Sequence, residues 1–329
     1  MSRTLNPPPR SDSTYAWDQY WHTGRLASCG GEGGVNYQPF ISEGWKRFFS
    51  RLSDGARILD VCAGNGAVAR LAAESASARN LHVAIEAVDS AALHPAGLES
   101  SAGMIHFSPR TQAEDLPFPD ASFDVIVGQY AIEYTDVERT LAELRRVSRQ
   151  ATTIRFVTHA AGSVVVQGAK DQLDDAERLT ATGIFPAAAT LARAASGDSS
   201  APSFDVARAN FRNALQALQV AASSTMDLRM YQNVGTVLVD AIQKQPRAGV
   251  RAVLDKINET ELAIKAHQAR LSAMRRAALD AEGAQALAAR AERLWARKFE
   301  LERLARPDGA QFGWVVVSGT TEVSTIPAV

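Results

Sequence analysis

The stretch that decides the fold is Ala56-Arg57-Ile58-Leu59-Asp60-Val61-Cys62-Ala63-Gly64-Asn65-Gly66-Ala67. Its first half is a short apolar run with a single carboxylate, which predicts a buried strand. Two glycines then allow a tight turn and let a ligand approach the main chain closely. Helical spacing follows, at Val68, Leu71 and Ala72. A strand, a glycine loop and a helix in this order are typical of nucleotide-binding sites.

Composition excludes several classes of protein. The 35 basic and 36 acidic side chains nearly cancel, so bulk charge indicates neither a nucleic acid nor a membrane partner. Two cysteines, Cys29 and Cys62, stand outside any CxxC or Cys/His cluster, which predicts neither a disulfide framework nor a metal site. No apolar run approaches the roughly 18 residues of a membrane span, and the proline-rich N-terminus is unlike a signal peptide. We therefore expect a cytoplasmic protein.

The pattern along the chain changes near residue 161. Before it, apolar runs at 81–88, 104–107, 123–127 and 153–157 predict further strands, and 137–147 predicts a helix. This alternation indicates a parallel sheet with helices on both faces. After it, helical patterns cover 204–222, 226–242, 249–279 and 284–304, with a breaker-rich patch at 196–203. Seven-residue spacing in the last two predicts a long antiparallel helix pair, and 312–318 predicts a final strand.

Charge distinguishes between the possible cofactors. The run from Gly64 to Ala69 formally fits the dinucleotide pattern G-x-G-x-x-G/A. Asp60, just before the loop, would lie badly beside a pyrophosphate but well beside a cation. S-adenosylmethionine carries a sulfonium and an amino group and has no phosphate. Asp89, 23 residues after Gly66, can accept hydrogen bonds from two ribose hydroxyls.

Residues 46–160 resemble the class I S-adenosylmethionine-dependent methyltransferases, of the type that acts on small molecules. The run Ile58 to Gly66 looks like that family's first motif, and Asp89 matches the acidic residue that closes its second strand. The stretch from Gln112 to Asp124 is similar to its third region, in which an acidic-Ala segment precedes Leu-Pro-Phe and Ser-Phe-Asp. Arg145-Arg146-Val147 resembles the segment before its fifth strand.

The resemblance implies a role for each matching residue. The loop would hold the methionine end of the cofactor, Asp89 and Ser90 the ribose, and Gln112 and Ala113 the adenine, with Gln129 under the methionine moiety. The implied cofactor-binding residues are Asp60, Ala63, Gly64, Asn65, Gly66, Asp89, Ser90, Gln112, Ala113 and Gln129. Two positions depart from the family, which usually has Gly at Cys62 and Asp at Gln112. An amide can still accept a hydrogen bond from the adenine amino group.

The resemblance fades after the fifth strand, which suggests a composite architecture. We predict an α/β fold with a Rossmann-like, seven-stranded, mostly parallel methyltransferase sheet and a large all-helical insertion before the final strands. Residues 46–160 and 306–329 would form the core, and 1–45 an aromatic and glycine-rich lid. Residues 161–305 would form the insertion, which caps the acceptor site, makes a dimer, or both.

Candidate residues for the acceptor side are less specific. His159 follows the fifth strand and suits a general base for an acceptor hydroxyl, although a structural histidine fits equally well. Glu133 and Tyr134 lie where the family often has side chains that face the acceptor. Four aromatic residues could wall the pocket or simply pack in the core: Tyr20, Trp21, Tyr37 and Tyr130.

The predicted function is methyl transfer from S-adenosylmethionine to a small organic molecule, with oxygen slightly favoured over nitrogen or carbon as the acceptor atom. No metal, nucleic acid or membrane partner is expected, and a homodimer through the insertion is possible. Two alternatives stay open. One is a non-catalytic or regulatory interaction protein with a methyltransferase-like fold, and the other is a nicotinamide-dependent oxidoreductase.

Overall fold

The structure, a computed structural model, describes residues 12–29, 36–93, 95, 103–225 and 228–319. The predicted lid (1–45) and the predicted last core segment (306–329) therefore lie partly outside the described residues. Contacts divide the chain into two units, Met1–Gly168 with Ala273–Val329, and Ala169–Ser272.

The first unit is built on one sheet, in which the described residues form seven strands in the order β3-β2-β1-β4-β5-β7-β6. Strands β1 to β5 pair in parallel, whereas β7 runs antiparallel to both β5 and β6. The strands are β1 (Arg57–Val61), β2 (Ala84–Asp89), β3 (Ile105–Pro109), β4 (Phe123–Gln129), β5 (Ser148–Thr158), β6 (Phe299–Ala305) and β7 (Gln311–Ser318). The predicted fold class is confirmed.

Nine described helices accompany the strands. They are α1 (Asp12–His22), α2 (Pro39–Phe49), α3 (Ala67–Ser77), α4 (Val137–Val147), α5 (Val164–Ala181), α6 (Ile184–Ala195), α7 (Phe204–Ala222), α8 (Arg229–Ala277) and α9 (Ala281–Trp295). Helix α8 is interrupted at Gly249, whose φ of 81° lies outside the helical region. Among the described residues, no helix combines the length and apolar character that crossing a bilayer requires.

The two faces of the sheet bury different side chains because successive residues of a strand point to opposite sides. Ile58 and Val125 belong to a cluster with α2 and α3, while Leu59 and Ile126 belong to a second cluster with α4 and α9. Both faces of β1 are therefore covered, which explains its nearly continuous apolar run. The single carboxylate of that run, Asp60, lies near its carboxyl end.

Strand order reverses between β1 and its neighbours β2 and β4, because the chain first moves outward through β3 and then returns to the other side of β1. Open parallel sheets bind ligands outside the carboxyl ends of the strands at such a reversal. The loops after β1, β2 and β4 meet there. The topology therefore fixes where a ligand site is expected.

The second unit is helical and has its own apolar core. Buried side chains from α5, α6, α7 and α8 form one cluster, which includes Phe185, Phe211, Tyr231 and Leu238. Helix α6 ends at Ala195 and α7 begins at Phe204, on either side of the predicted breaker-rich patch.

The prediction of a helix through residue 304 is wrong at its end. Helix α9 stops at Trp295 because Ala296 adopts left-handed angles (φ 49°, ψ 41°), and residues 299–305 form β6. Leu301 therefore belongs to a strand, and the predicted helix pair lacks its second member beyond Trp295. The contact division also places α9 in the unit that contains the sheet rather than in a helical insertion. The boundaries of the lid, core and insertion remain predictions.

Candidate cofactor and acceptor site

A cavity of about 520 Å³ opens at the predicted edge of the sheet. It is lined by the residues that follow β1, β2 and β4, by the loop after β3, by α1 and by the end of α8. All the lining residues belong to the unit with the sheet. The size is that of a pocket for a small ligand or cofactor.

The glycine loop after β1 is tightly packed. Gly64 has a φ of +54°, and a Cβ there would lie 2.3 Å from the Trp21 ring. Gly66 has a φ of +84°, and its Cβ would lie 2.6 Å from the Phe107 ring. Both positions therefore require glycine for space as well as for backbone angle. Cys62 also adopts a positive φ, of 51°, which explains why glycine is usual at this position in the resembling family.

Asp60 occupies the amino-terminal end of α3. Its Oδ2 accepts a hydrogen bond from the main-chain N of Ala69 at 3.0 Å, and Gly66 is the residue that caps the helix. That amide is one of the first-turn donors that would otherwise bind a ligand's anionic group. Burial raises the pKa of Asp60 to about 8, the Ala69 bond lowers it, and neighbouring Asp89 raises it further. A protein carboxyl group thus accepts a hydrogen bond from one of the helix-terminal amides that bind a pyrophosphate in dinucleotide folds.

Asp89 braces the same loop from the end of β2. Its Oδ2 accepts from the main-chain N of Gly64 and its Oδ1 from the main-chain N of Ala91, both at 2.8 Å. Burial raises the pKa of Asp89, and these two amides lower it. Each carboxylate oxygen has a second lone pair, so the side chain can still accept hydrogen bonds from a ligand's hydroxyls.

Gln129 presents a donor without a partner. Its Oε1 accepts the indole N–H of Trp45, which is fully buried. Its Nε2 is buried and has no hydrogen-bond partner among the described residues. Because Gln129 lines the cavity at the end of β4, a bound group with an acceptor oxygen would satisfy this amide.

Two anchors hold α1 against the cavity. Asp18 accepts both guanidinium nitrogens of Arg110, at 2.9 and 2.7 Å, and the main-chain N of Ala92 at 2.7 Å. Asn65 donates its amide to the main-chain oxygens of Trp21 and Arg25, at 3.0 and 2.7 Å. The glycine loop and the helix with the aromatic residues are therefore joined directly.

A row of polar groups lies behind the wall of the cavity. Nδ1 of His159 is 2.8 Å from Oε1 of Glu133, which also accepts from the main-chain N of His159. Nε2 of His159 is 3.6 Å from Sγ of Cys29, and the Tyr130 ring stacks on the imidazole at 4.0 Å between centroids. Burial lowers the pKa of His159, but the bonds to Cys29 and Glu133 outweigh it and raise the pKa to about 9.

Most of the predicted site residues come together at this cavity. Those that line it are Asp60, Ala63, Asp89, Ser90, Gln112, Ala113, Gln129, Trp21, Tyr37, Tyr130, Glu133 and Tyr134. Those that do not are Gly64, Asn65, Gly66, Tyr20 and His159. The two glycines shape the loop beneath Trp21 and Phe107, and Asn65 anchors α1. Tyr20 donates its hydroxyl to the main-chain oxygen of Ser28 at 2.8 Å.

A role for His159 as a base depends on its access to the acceptor, and that role remains a prediction. Its Nδ1 faces Glu133 and its Nε2 faces Cys29, so neither nitrogen is presented to the cavity directly. The hydroxyl of Tyr134, which does line the cavity, lies 3.5 Å from Nδ1, at the outer limit of a hydrogen bond.

Several lining residues were not predicted. They are Trp17, Ser28, Cys62, Val68, Thr111, Glu114, Ala131, Thr135, Ala273, Arg276 and Ala277. Trp17 lies four residues before Trp21, on the same face of α1, so helical spacing could have found it. Glu114 lies within the stretch from Gln112 to Asp124, which resembles the family's third region. Nothing in the sequence associates the end of α8 with the loops of the sheet.

The charges around the cavity fit a cationic cofactor. The lining holds four acidic side chains, Asp60, Asp89, Glu114 and Glu133, whereas Arg276 is the single basic one among the described lining residues. A pyrophosphate would add two negative charges to this group. A sulfonium and an ammonium would compensate it, and the unpaired Gln129 amide could serve a carboxylate oxygen.

Comparison with known proteins agrees with the geometry. The family model of the methyltransferase domain matches residues 59–156, which run from β1 to β5 and contain the acidic loop residues described above. Members of this family bind S-adenosylmethionine in general. A search of curated proteins finds no match.

Solved structures that match the chain do so at low identity. A SAM-dependent methyltransferase from Aquifex aeolicus is 16% identical over 36% of this chain and 64% of its own, with a TM-score of 0.30. The YcgJ protein from Bacillus subtilis is 17% identical over 84% and 96%, with a TM-score of 0.33. The [4+2]-cyclase SpnF is 19% identical over 45% and 57%, with a TM-score of 0.34. The chain thus spans less than two thirds of the Aquifex protein and of the cyclase.

The similarity to methyltransferases rests on the matched span and on the site within it. Residues 59–156 contain the glycine loop, both buried aspartates and Gln129, arranged at the carboxyl edge of the sheet. Residues 59–156 thus match a methyltransferase domain, and this span is similar to the class I S-adenosylmethionine-dependent methyltransferases.

Proposed function

We propose that this protein binds S-adenosylmethionine and transfers its methyl group to a small organic molecule. The observation that carries the proposal is the position of Asp60, whose carboxyl group accepts a hydrogen bond from one of the amino-terminal amides of α3 and would repel a pyrophosphate there when ionised. The same carboxyl group would attract a cationic cofactor. This arrangement argues against a nicotinamide-dependent oxidoreductase.

Different residues would bind different parts of the cofactor. Asp60 and the main chain from Ala63 to Gly66 would hold the methionine end, and the Gln129 amide would donate to its carboxylate. Asp89 and Ser90 would bind the ribose, and Gln112 and Ala113 the adenine. Asn65 would act through α1 rather than by contact, because its amide is bound to Trp21 and Arg25.

The bound cofactor supplies a methyl group made electrophilic by the adjacent sulfonium. The protein's part is to hold an acceptor in line with that methyl group and to exclude water. Trp17, Trp21, Tyr37, Tyr130 and Tyr134 would provide apolar walls for the acceptor. Positioning and desolvation of this kind need no metal at the reacting atoms.

The acceptor is proposed to be a small molecule, with oxygen ahead of nitrogen or carbon as the attacking atom. This preference rests on the imidazole–carboxylate pair of His159 and Glu133, which can store a proton. Because His159 does not line the cavity, the proton would pass through a side chain that does, such as Tyr134. A cytoplasmic location agrees with the free thiols of Cys29 and Cys62.

The helical segment is proposed to cap the acceptor site, to form a homodimer, or both. Its own apolar core supports an independently folded element. Sedimentation velocity over a range of protein concentrations tests the dimer. A single monomeric species at all concentrations would reject it and leave the capping role.

Calorimetric titration with S-adenosylmethionine, S-adenosylhomocysteine and NADH tests the cofactor. We expect micromolar binding of the two adenosyl sulfur compounds and no binding of NADH. Tighter binding of NADH would overturn the proposal. Absence of binding to all three would favour the alternative of a non-catalytic interaction protein.

The variant Asp89→Ala tests the ribose assignment within the same titration. Loss of charge-assisted hydrogen bonds to two hydroxyls is expected to weaken S-adenosylhomocysteine binding by at least about tenfold. The exposed Asp115 provides the matched control, and Asp115→Ala should leave the affinity unchanged. Equal affinities in both variants would contradict the assignment.

A further inference from the structure

Cys29 forms a row with His159 and Glu133, and its thiol has no part in methyl transfer as proposed above. Sγ of Cys29 faces Nε2 of His159 at 3.6 Å, and Nδ1 faces the Glu133 carboxylate at 2.8 Å. A thiol, an imidazole and a carboxylate in this order are the parts of an activated nucleophile, in which the third group orients the second.

Hydrogen bonding fixes the orientation of the imidazole. Oε1 of Glu133 accepts the main-chain N–H of His159, which holds the carboxylate in place, and also the proton of Nδ1, so the ring cannot turn without losing its own bond to Glu133. The Tyr130 ring covers one face of the imidazole. Nε2 is therefore directed at Cys29, where it can take the thiol proton.

The surroundings favour an imidazolium over other charges. The titratable side chains that face this row are Tyr37, Tyr130 and Tyr134, together with the three members themselves. Burial raises the pKa of Tyr37 and of Tyr130 well above the ordinary range, so both stay neutral. Among the described residues around Cys29, His159 is thus the group that can become a cation and stabilise a thiolate.

One member of the row, Glu133, lines the cavity. Cys29 is partly exposed, and the residue before it, Ser28, lines the cavity, as do Tyr130 and Glu133. Oε2 of Glu133 and the hydroxyl of Tyr130 are buried without a hydrogen-bond partner among the described residues. A polar ligand bound at this wall of the cavity would give both atoms a hydrogen-bond partner.

A metal site does not explain the arrangement. The three side chains form a row instead of converging on one point. Within the described residues, no group of three or more His, Cys, Asp or Glu side chains is arranged to hold a metal ion.

We propose that Cys29, His159 and Glu133 form a nucleophilic thiol site that adds to a soft carbon electrophile, such as a conjugated carbonyl compound, bound at this wall of the cavity. The Cys29 thiol gives its proton to Nε2 of His159. Sulfur then bonds to the β-carbon, the electron pair of the C=C bond moves to the α-carbon, and the α-carbon takes the proton back from Nε2. The product is a thioether, and no oxidant or reductant is consumed.

Labelling of the whole protein with N-ethylmaleimide, a conjugated carbonyl compound, tests this site. Peptide mass spectrometry after short reaction times gives separate rates for Cys29 and for Cys62, which serves as the internal control because burial raises the pKa of its thiol. At pH 6.5 we expect Cys29 to react at least about tenfold faster than Cys62. Between pH 5.5 and 7.5 its rate should change by less than about threefold, whereas that of N-acetylcysteine should rise about tenfold per pH unit.

Two variants separate activation from simple exposure. His159→Gln should lower the Cys29 rate at pH 6.5 by about tenfold and restore the steep pH dependence of a free thiol, and Glu133→Gln should have a smaller effect in the same direction. A steep profile in the wild-type protein, or equal rates for the two cysteines, overturns the proposal even if neither variant folds.

Titration of the same samples with S-adenosylhomocysteine keeps the two proposals apart. Fast Cys29 labelling without S-adenosylhomocysteine binding would reject the methyltransferase proposal and retain the thiol site. Binding with slow labelling would reject the thiol site alone.

Discussion

At the scale of the residue, Asp60 meets two opposing requirements. Burial beneath the glycine loop disfavours its charge and raises its pKa to about 8, whereas a cationic cofactor needs the charged form. The bound cofactor would therefore be coupled to release of a proton, and affinity should increase as the pH rises towards 8.

The first prediction concerns the variant Asp60→Asn. The unfolded pKa of an aspartate is about 3.9, so the stabilisation from the raised folded pKa is complete below that value and is lost as the pH rises through about 8. Between pH 5 and pH 8 the free energy of unfolding should fall by about 4 kcal/mol more in the wild-type protein than in the variant. Urea denaturation at both pH values measures this difference. Asp115→Asn should follow the wild-type protein, and parallel behaviour of Asp60→Asn would refute the pKa argument.

The second prediction concerns Cys62, whose φ of 51° costs about 1 kcal/mol in a residue with a side chain. In Cys62→Gly, relief of this strain and the greater entropy of the unfolded glycine nearly cancel, so stability should change by less than about 0.5 kcal/mol. Cys62→Val should lose about 2 kcal/mol, because a branched side chain rarely adopts these angles.

The exposed Ala121, with the same φ of 51°, is the matched position for this experiment. Chemical denaturation of Ala121→Gly and Ala121→Val gives the backbone effect without burial. If Cys62→Val proved as stable as Cys62→Gly, the backbone explanation for the usual glycine at this position would fail.

At the scale of the element, helix α1 is held mainly by its partners outside the helix. Asn65 donates to the carbonyl oxygen of Trp21 in the last turn and to that of Arg25 just after the helix, and Asp18 binds Arg110. In Asn65→Ala we expect faster amide hydrogen exchange in residues 15–22 and weaker S-adenosylhomocysteine binding, with unchanged exchange in β4. Thr23→Ala, which removes an exposed local hydrogen bond at the same helix end, is the control. Equal exchange in both variants would contradict the anchor.

The elements themselves were largely predictable, and the exception is informative. The sheet strands near the glycine loop are short apolar runs between turns, and α4 was predicted with the bounds observed. Residues 299–304 were predicted as helix because Leu287, Leu294 and Leu301 repeat every seven positions. Yet Phe299, Leu301 and Arg303 also alternate with Glu300 and Glu302, which is the pattern of a strand. Two periodicities overlap there, and tertiary pairing with β7 decides between them.

The site was predictable where it depends on local sequence and unpredictable where it depends on tertiary contact. Asp60, Asp89 and Gln129 follow strands that meet at one edge, so chain order alone indicates that they lie together. The contribution of Arg276 depends on where a long helix ends, and no local pattern encodes that. The contact between Cys29 and His159 is likewise hidden from local sequence patterns, because the two residues lie 130 positions apart in the chain.

At the scale of the whole molecule, the two units have separate cores. The first has the clusters on both faces of the sheet, and the second has the cluster around Phe185, Phe211 and Leu238. Helical periodicity could not locate their boundary, because it reports that a face is buried and not what covers it. The contact division at 169 and 272 falls inside α5 and α8.

The fourth prediction follows from this division. Every described cavity-lining residue belongs to the first unit, so S-adenosylhomocysteine at 100 times its dissociation constant should stabilise that unit by about 2.7 kcal/mol. Hydrogen exchange should slow in β1, β2 and β4 and stay unchanged in α6 and α7. Differential scanning calorimetry should show one ligand-dependent and one ligand-independent transition. If the ligand slowed hydrogen exchange equally in both units, the chain would unfold as one unit and the prediction would fail.

The antiparallel pairing of β5 with β7 has a consequence for synthesis on the ribosome. Thr158 and Gln311 are separated by roughly 150 residues, and long-range pairings of this kind form late. Strands β1 to β5 leave the exit tunnel first, so β5 presents a bare hydrogen-bonding edge while the helical segment is still being translated. An exposed edge of this kind invites pairing with other chains. During the seconds before β7 is translated, this edge of β5 is therefore the part of the sheet most exposed to mispairing.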